Sequence, residues 1–313
     1  MRLIFLGTPQ FAVPTLERIV EAGHQVPAVF TQPDRPKGRG RKNSMSPVKE
    51  AALRFNLPVH QPERIRSPEA IDQLALLHAE AMVVVGYGQI IPQKVIDLPP
   101  LGIINVHASL LPKYRGAAPV QWAVANGETE TGVTTMRIDA GLDTGEMLLK
   151  ERTGIGPGED ALQLGARLAV MGADLLVRTL DGLRLQTIEP VKQNPDEASY
   201  APILRKEDGL IEWTRSASEI YNRSRGFLPW PGAYTAFRGQ LLHIWKAKPA
   251  NDIDSGLPGS IHIRNRRVLV VCGHETVLEL LEVQLEGRKR VSAEAFHNGQ
   301  RLIENEVLGE IKN

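Results

Sequence analysis

Ala81–Val85, reading AMVVV, has an apolar side chain at every position. A strand alternates its side chains between two faces, so such a run must be covered on both sides. Ile103–Val106 is a second run of this kind, broken only by Asn105. Runs buried on both faces belong to parallel sheets flanked by helices, and the surrounding pattern agrees. Arg2–Leu6 and Gln25–Phe30 read as strands, and Phe11–Glu21 reads as a helix. Ser67, Pro68 and Glu69 supply a cap, a first-turn proline and a first-turn acid for a helix reaching about His78. Alternation of this sort predicts an α/β domain with a parallel sheet. Ligands of open sheets bind beyond the carboxyl ends of the strands, here after Leu6, Phe30, Val85 and Val106.

The pattern changes downstream. Thr131–Ile138 and Glu146–Glu151 read as further strands, and Glu159–Leu180 as a long amphipathic helix. Ile188–Leu204 carries Pro190, Pro195 and Pro202, which suits a linker or a wrap-around segment. Beyond a helix at Ser216–Arg225, short strands follow at Tyr234–Phe237, Leu241–Lys246, Gly259–Ile263, Val268–Cys272 and Thr276–Leu285, the spacing of a small barrel or sandwich. The 313 residues therefore divide into a domain over 1–188, a linker over 189–205 and a second domain over 206–313.

Composition narrows the function classes. A net charge of +1 creates no global field for nucleic acid, so any such contact must be local. The single cysteine, Cys272, excludes a disulfide framework and a cysteine-rich metal site, and reads as a small buried hydrophobe. No apolar stretch approaches the ~20 residues that span a bilayer, and the expected location is the cytoplasm.

Chemistry concentrates in two stretches. In Gly102–Gly116, GIINVHASLLPKYRG, Asn105 and His107 share one strand face at the carboxyl end. In Asp139–Gly145, DAGLDTG, two glycines flank Asp143, so the backbone can turn tightly and approach a ligand. Either could be satisfied by local hydrogen bonds. Together they offer an amide, an imidazole and a carboxylate, a set suited to acyl transfer onto an external amine. Asn105 and protonated His107 would donate to the oxyanion. Asp143 would orient His107 or take the amine's proton, directly or through water. Ser109 raises a hydrolase alternative, but no GxSxG elbow presents it.

NVHASLLPKYRG and DAGLDTG resemble the motifs of the folate-dependent formyltransferases, and among these the chain is similar to the methionyl-tRNA formyltransferases over nearly its whole length. The resemblance implies a Rossmann-like, mostly parallel sheet in the N-terminal domain and a smaller C-terminal OB-like β-barrel. It implies Asn105, His107 and Asp143 as catalytic residues. It also implies 10-formyltetrahydrofolate as donor, direct transfer and no metal. Folate contacts would come from Ser109, Leu110, Leu111 and Pro112, from Tyr87, Gly88, Ile90 and Ile91 in the GYGQII loop, and from Asp139 and Gly141. Core packing explains Ile90 and Ile91 equally well.

The acceptor is chosen outside those motifs. Thr31–Lys49, rich in glycine, proline and basic residues, resembles the family's tRNA-binding loop, with Lys37, Arg39, Arg41, Lys42 and Lys49 as phosphate contacts. The basic clusters holding Arg266 and Lys289 could touch the tRNA backbone or be solvated hairpin tips. Trp213, Trp230 and Trp245 read as barrel core rather than stacking platforms. Gly7-Thr8-Pro9 reads as a structural turn near the substrate's terminal adenosine. The expected acceptor is initiator methionyl-tRNA, and the expected state is a monomer. An amino-sugar nucleotide acceptor and a catalytically silent binding protein are the alternatives.

Overall fold

A computed structural model describes residues 1–37, 42–252 and 256–309; side chains are described outside 36–43 as well as outside the remaining gaps. Contacts group the chain into two units. The first comprises Met1–Pro119, Glu130–Gly154 and Leu164–Ala201; the second comprises Val120–Thr129, Ile155–Gln163 and Pro202–Asn313.

In the first unit the strands are β1 (Arg2–Gly7), β2 (Gln25–Phe30), β3 (Arg35–Lys37), β4 (Lys42–Ser44), β5 (Val59–His60), β6 (Ala81–Val85), β7 (Ile103–His107), β8 (Arg115–Gly116), β9 (Glu130–Arg137), β10 (Met147–Gly154) and β11 (Tyr200–Ala201). Seven of them form one sheet in the order β10-β9-β7-β6-β1-β2-β5. The five from β7 to β5 run parallel, and β9 and β10 continue the sheet antiparallel beyond β7. Every residue of β6 is buried, as AMVVV requires. Ile4, Leu6, Ala28, Phe30, Met82, Val84 and Ile103 form a core with Leu74 and Val95 on one face. Their neighbours of opposite parity, Leu3, Phe5, Val83 and Val85, are buried as well. Each such side chain contributes roughly 1.5–3 kcal/mol by leaving water.

The helices of this unit follow their caps. Helix α1 (Val13–Glu21) begins two residues later than the apolar pattern suggests, because Gln10–Ala12 forms a 3-10 turn ahead of Pro14. Helix α2 (Pro47–Arg54) corrects the reading of Thr31–Lys49 as one continuous loop: Ser46 Oγ accepts from Lys49 N at 3.1 Å and starts a helix inside it. Helix α3 (Pro68–Leu76) starts where its Ser67 cap predicts. Helix α4 is Gln93–Ile96, and α6 is Ala161–Arg184, which belongs to this unit from Leu164; α5 (Pro119–Ala125) belongs to the second unit from Val120. Gly172 of α6 lies so close to the sheet that an added Cβ would stand 2.7 Å from Val106. Among the described residues no helix is long and apolar enough to cross a membrane.

The second unit holds α7 (Ala217–Gly226), β12 (Ala233–Phe237), β13 (Gln240–Ala250), β14 (Ile261–Arg264), β15 (Arg267–Val271), β16 (Val277–Leu285), β17 (Val291–Ser292) and α8 (Ala293–Gln300). Its antiparallel sheet runs β12-β13-β16-β15-β14, with β17 beside β16. The end strands β12 and β14 are joined by chain rather than by pairing with one another. Leu308 N donates to Gly259 O ahead of β14, and Gly309 N donates to Ala236 O of β12. Asn265 and Arg266, both with positive φ, make the two-residue turn between β14 and β15. Trp213 is core: it is buried and its Nε1 donates to Thr235 Oγ1 at 3.1 Å. The core reading fails for Trp230, which is 54% exposed, and for Trp245, which is half-buried and bonds Gln284 through Nε1 at 2.9 Å. Two short pieces of the first half group with this unit for steric and polar reasons. Gly226 of α7 lies against Ala125, and the Arg225 guanidinium donates to the carbonyls of Gly156 and Glu159.

Candidate active site

The site begins in the register of β7. Asn105 pairs with Val84 of β6 and Met136 of β9, and His107 pairs with Thr134 of β9. Being two residues apart, their side chains leave the sheet on the same side. His107 is 6% exposed and Asn105 is half-buried. The side-chain amide of Asn105 makes no hydrogen bond with the described residues.

His107 is anchored at one ring nitrogen and faces a carboxylate with the other. Its Nε2 lies 2.9 Å from the carbonyl oxygen of Tyr114. A carbonyl only accepts, so Nε2 carries a proton. Its Nδ1 faces Asp143 Oδ2 across 3.6 Å. Both ring nitrogens therefore face acceptors. With Nε2 anchored, Nδ1 is the nitrogen left to work.

Asp143 arrives from the loop between β9 and β10. Its Oδ2 accepts from Gly116 N at 2.8 Å. The motif glycines act differently from expectation. Positive φ falls on Asp143 itself, at 52°, rather than on its glycine neighbours. Gly145 is needed because a Cβ there would stand 1.9 Å from Arg137 O, and Gly141 because a Cβ would meet Thr144 Oγ1 at 2.0 Å. Asp139 ties the loop internally, accepting from Gly141 N at 3.0 Å and Thr144 Oγ1 at 2.8 Å.

Ser109–Pro112 is a scaffold for these groups. The Ser109 hydroxyl is fully buried and donates to Lys113 O at 2.6 Å, which removes it as a nucleophile. Thr134 Oγ1 donates to Ser109 O at 2.7 Å and accepts from Leu111 N at 3.2 Å. Leu111 packs with Met136 and Met147, and Lys150 Nζ bonds its carbonyl at 2.5 Å. Pro112 is buried, so Leu110 is the side chain of this segment with surface to offer.

The loop after β6 divides. Tyr87 is buried, and burial pushes its phenol up to about 12. Its carbonyl accepts from Thr8 Oγ1 at 3.0 Å and Gln32 Nε2 at 3.1 Å, stitching together the carboxyl ends of β1, β2 and β6. Gly7-Thr8-Pro9 is thus a structural turn. Gly88 is exposed, and Ile91 packs on the core. Ile90 does not: it is 91% exposed, and Leu142 in the Asp143 loop is 63% exposed.

The basic residues are dispersed. Arg39 and Arg41 lie outside the described residues, as do the side chains of Lys37 and Lys42, whose backbones pair between β3 and β4. Lys49, expected to meet phosphate, instead donates to Asp34 Oδ2 at 2.5 Å and Gln61 Oε1 at 2.7 Å, and that bond holds the Asp34 carboxyl below its ordinary range. Arg266 is 85% exposed at its turn, with Glu294 3.7 Å away, and Lys289 is exposed. Two residues escaped the sequence reading altogether: Gln193, which bonds the Asp143 segment, and Arg115, which bonds Gln193.

The chain is a member of the formyl transferase family, whose profile covers residues 1–180, with the family's C-terminal domain over 203–301. Within that family its relatives are specific. It is 65% identical over 310 residues to the methionyl-tRNA formyltransferase of Solibacter usitatus, covering 99% of each chain. It is 57% identical over 315 residues to that of Koribacter versatilis, covering both chains completely. The fold is also that of an N-formyltransferase from Helicobacter canadensis solved with folinic acid and dTDP-3-aminofucose (TM-score 0.66, 20% identity, 89% of this chain and 98% of that one).

Proposed function

We propose that Asn105, His107 and Asp143 are the reaction centre, that 10-formyltetrahydrofolate is the donor, and that the acceptor is the free amino group of initiator methionyl-tRNA. The carrying observation is the setting of His107: Nε2 is anchored on Tyr114 O, while Nδ1 is turned toward Asp143 on the face that also bears the unpartnered Asn105 amide.

The donor supplies the activated formyl carbon. The amine nitrogen adds to that carbon, and negative charge collects on the formyl oxygen. Asn105 donates to this oxygen through its amide, and His107 through Nδ1–H. Asp143 balances the imidazolium and takes the amine's proton, directly or through water. The bond from carbon to the folate N10 then breaks and N10 regains a proton. The products are formylmethionyl-tRNA and tetrahydrofolate.

The donor would lie along Tyr87–Ile91, Leu110 and Asp139–Gly141. Exposed Ile90 and Leu142 support this, because apolar side chains in loops beside a polar centre suit a flat aromatic ligand. With Ser109, Leu111 and Pro112 buried, contacts from that segment come from backbone and Leu110. For tRNA, Lys37, Arg39, Arg41 and Lys42 would act on the first unit, and Arg266 and Lys289 on the domain from 206 onward, which carries 15 basic and 14 acidic side chains. Phosphate contact through such local patches weakens with salt. With initiator tRNA as acceptor, the protein would work in the cytoplasm.

A competition assay tests the acceptor. With 10-formyltetrahydrofolate present, label should pass to charged initiator tRNA and not to a dTDP-amino sugar. Turnover of the sugar alone would sink the reading, and no turnover on either would leave a binding protein.

A further inference from the structure

Gln193 lies within the proline-bearing segment that reads as a linker, fifty residues from Asp143 in the chain. Its Nε2 donates to two carbonyl oxygens, those of Asp143 and Gly145, each at 2.8 Å. Its Oε1 accepts from Arg115 Nε at 3.0 Å and Arg115 Nη2 at 2.8 Å. A side-chain amide has two N–H donors and two lone pairs, so this one is saturated.

Arg115 and Asp143 in that set are tied to the reaction centre through the chain, and Gly145 lies two residues beyond Asp143. Arg115 stands between Tyr114, whose carbonyl anchors His107, and Gly116, whose N–H holds Asp143. Arg115 is 5% exposed, and a guanidinium so enclosed requires well-placed acceptors. Asp143 has a φ of 52°, a conformation that persists only where the surroundings determine it. The two carbonyls that Gln193 holds belong to the Asp143–Thr144 and Gly145–Glu146 peptides, so the chain after Asp143 is held at two points. The segment carrying Gln193 is itself pinned at both ends. Val191 and Met147 exchange backbone bonds at 2.9 and 2.8 Å, and Arg115 N donates to Ser199 O at 2.8 Å. Beside it Tyr114 N donates to Ser199 Oγ at 2.9 Å, and β11 pairs with β8.

We propose that Gln193 and Arg115 form a positioning brace that sets Asp143 against His107, so that the apparent linker completes the active site. This rests on the reading of Asp143 and His107 as catalytic. It assigns Gln193 no contact with substrate. Its role is to keep the carboxylate at its working distance, and misplacement of about 1 Å in such a group costs on the order of 10²-fold in rate.

A double-mutant cycle tests the brace. Gln193→Leu should lower kcat by about tenfold or more, within the range such misplacement allows, and leave KM for both substrates within about twofold. In an Asp143→Asn background the same change should cost less than about twofold, because residues acting through one another are not additive. Equal losses in both backgrounds, or an unchanged kcat, would overturn the proposal. Gln193→Glu is nearly isosteric and keeps an acceptor for Arg115, but it donates nothing to the two carbonyls. It should be as impaired as Gln193→Leu, and wild-type activity in it would also overturn the brace. Amide exchange gives a readout independent of turnover: the Gly116 N–H should exchange faster in either variant, and unchanged protection would count against the proposal. Absence of formyl transfer by the wild-type enzyme would instead reject the underlying assignment.

Discussion

His107 Nδ1 and Asp143 Oδ2 face each other across 3.6 Å, a separation longer than a hydrogen bond, while Gly116 N holds the same carboxylate oxygen at 2.8 Å. Their coupling is therefore electrostatic in this arrangement, and Nδ1 is left available to an incoming oxygen. Asp143→Asn keeps the size and an acceptor for Gly116 but removes the charge. The expected outcome is a fall in kcat of roughly 10²–10⁴ in a steady-state assay. An unchanged kcat would mean that the charge of this carboxylate is not what the rate depends on.

Gly116 of β8, whose N–H holds Asp143, packs tightly against β11. Its φ is 120°, and an added Cβ would stand 2.6 Å from the backbone carbonyl of Ala201. Gly116→Ala should therefore destabilise the fold by about 1–3 kcal/mol, as positions of this kind do, and move the donor of Asp143. Calorimetry should show a lower Tm and steady-state assay a kcat reduced more than its stability loss explains. A variant with wild-type Tm and kcat would contradict the packing described.

Cys272 gives a chemical probe of the second unit. It is buried in the core of the antiparallel sheet, and burial pushes its thiol up to about 12. The thiolate is the reactive form. Native protein at pH 8 should resist a thiol-titrating reagent, and denatured protein should react fully. Rapid labelling of the native state would place Cys272 outside the core.

Acid should weaken the fold through histidines held neutral. Burial lowers the folded-state values of His24, His60 and His243 below 6.5. The unfolded chain then binds more protons than the folded one in this range, so stability rises with pH. The contribution is intact above about 6.5 and is lost as pH falls from there through the folded values. His60 stacks on Phe30 with ring centroids 5.0 Å apart, so His60→Phe keeps an aromatic pair and removes the titration. The slope of Tm against pH below 6.5 should become shallower in that variant, and an identical slope would exclude His60 as a contributor.

The legible parts of this molecule obeyed short-range rules. The period of a strand was enough to put Asn105 and His107 on one face. The wholly apolar β6 could only be a central strand. Ser67-Pro68-Glu69 announced α3, and Ser46-Pro47 carried much the same signal for α2, hidden inside a basic stretch that drew attention to its charge. Asp143 could be found from its flanking glycines, but their physical purpose could not, because the groups they avoid, Arg137 O and Thr144 Oγ1, become visible only in three dimensions. Gln193 was illegible for a deeper reason. No periodicity marks it, its neighbours are those of a linker, and its partners come from Arg115 and from a loop fifty residues away. Trp245 misled because an aromatic residue in a strand reads as core, whereas here its indole nitrogen reaches Gln284 and Arg290 lies over its ring.

The most direct measurement is single-turnover transfer of a labelled formyl group from 10-formyltetrahydrofolate to methionyl-tRNA, comparing the wild-type enzyme with Asn105→Ala and His107→Ala. Each variant removes one donor to the developing oxyanion, so each should lower the transfer rate by roughly 10²–10³ while still binding both substrates. Near-normal single-turnover rates in both variants would contradict the account, because the reaction would then proceed without the two donors that β7 presents.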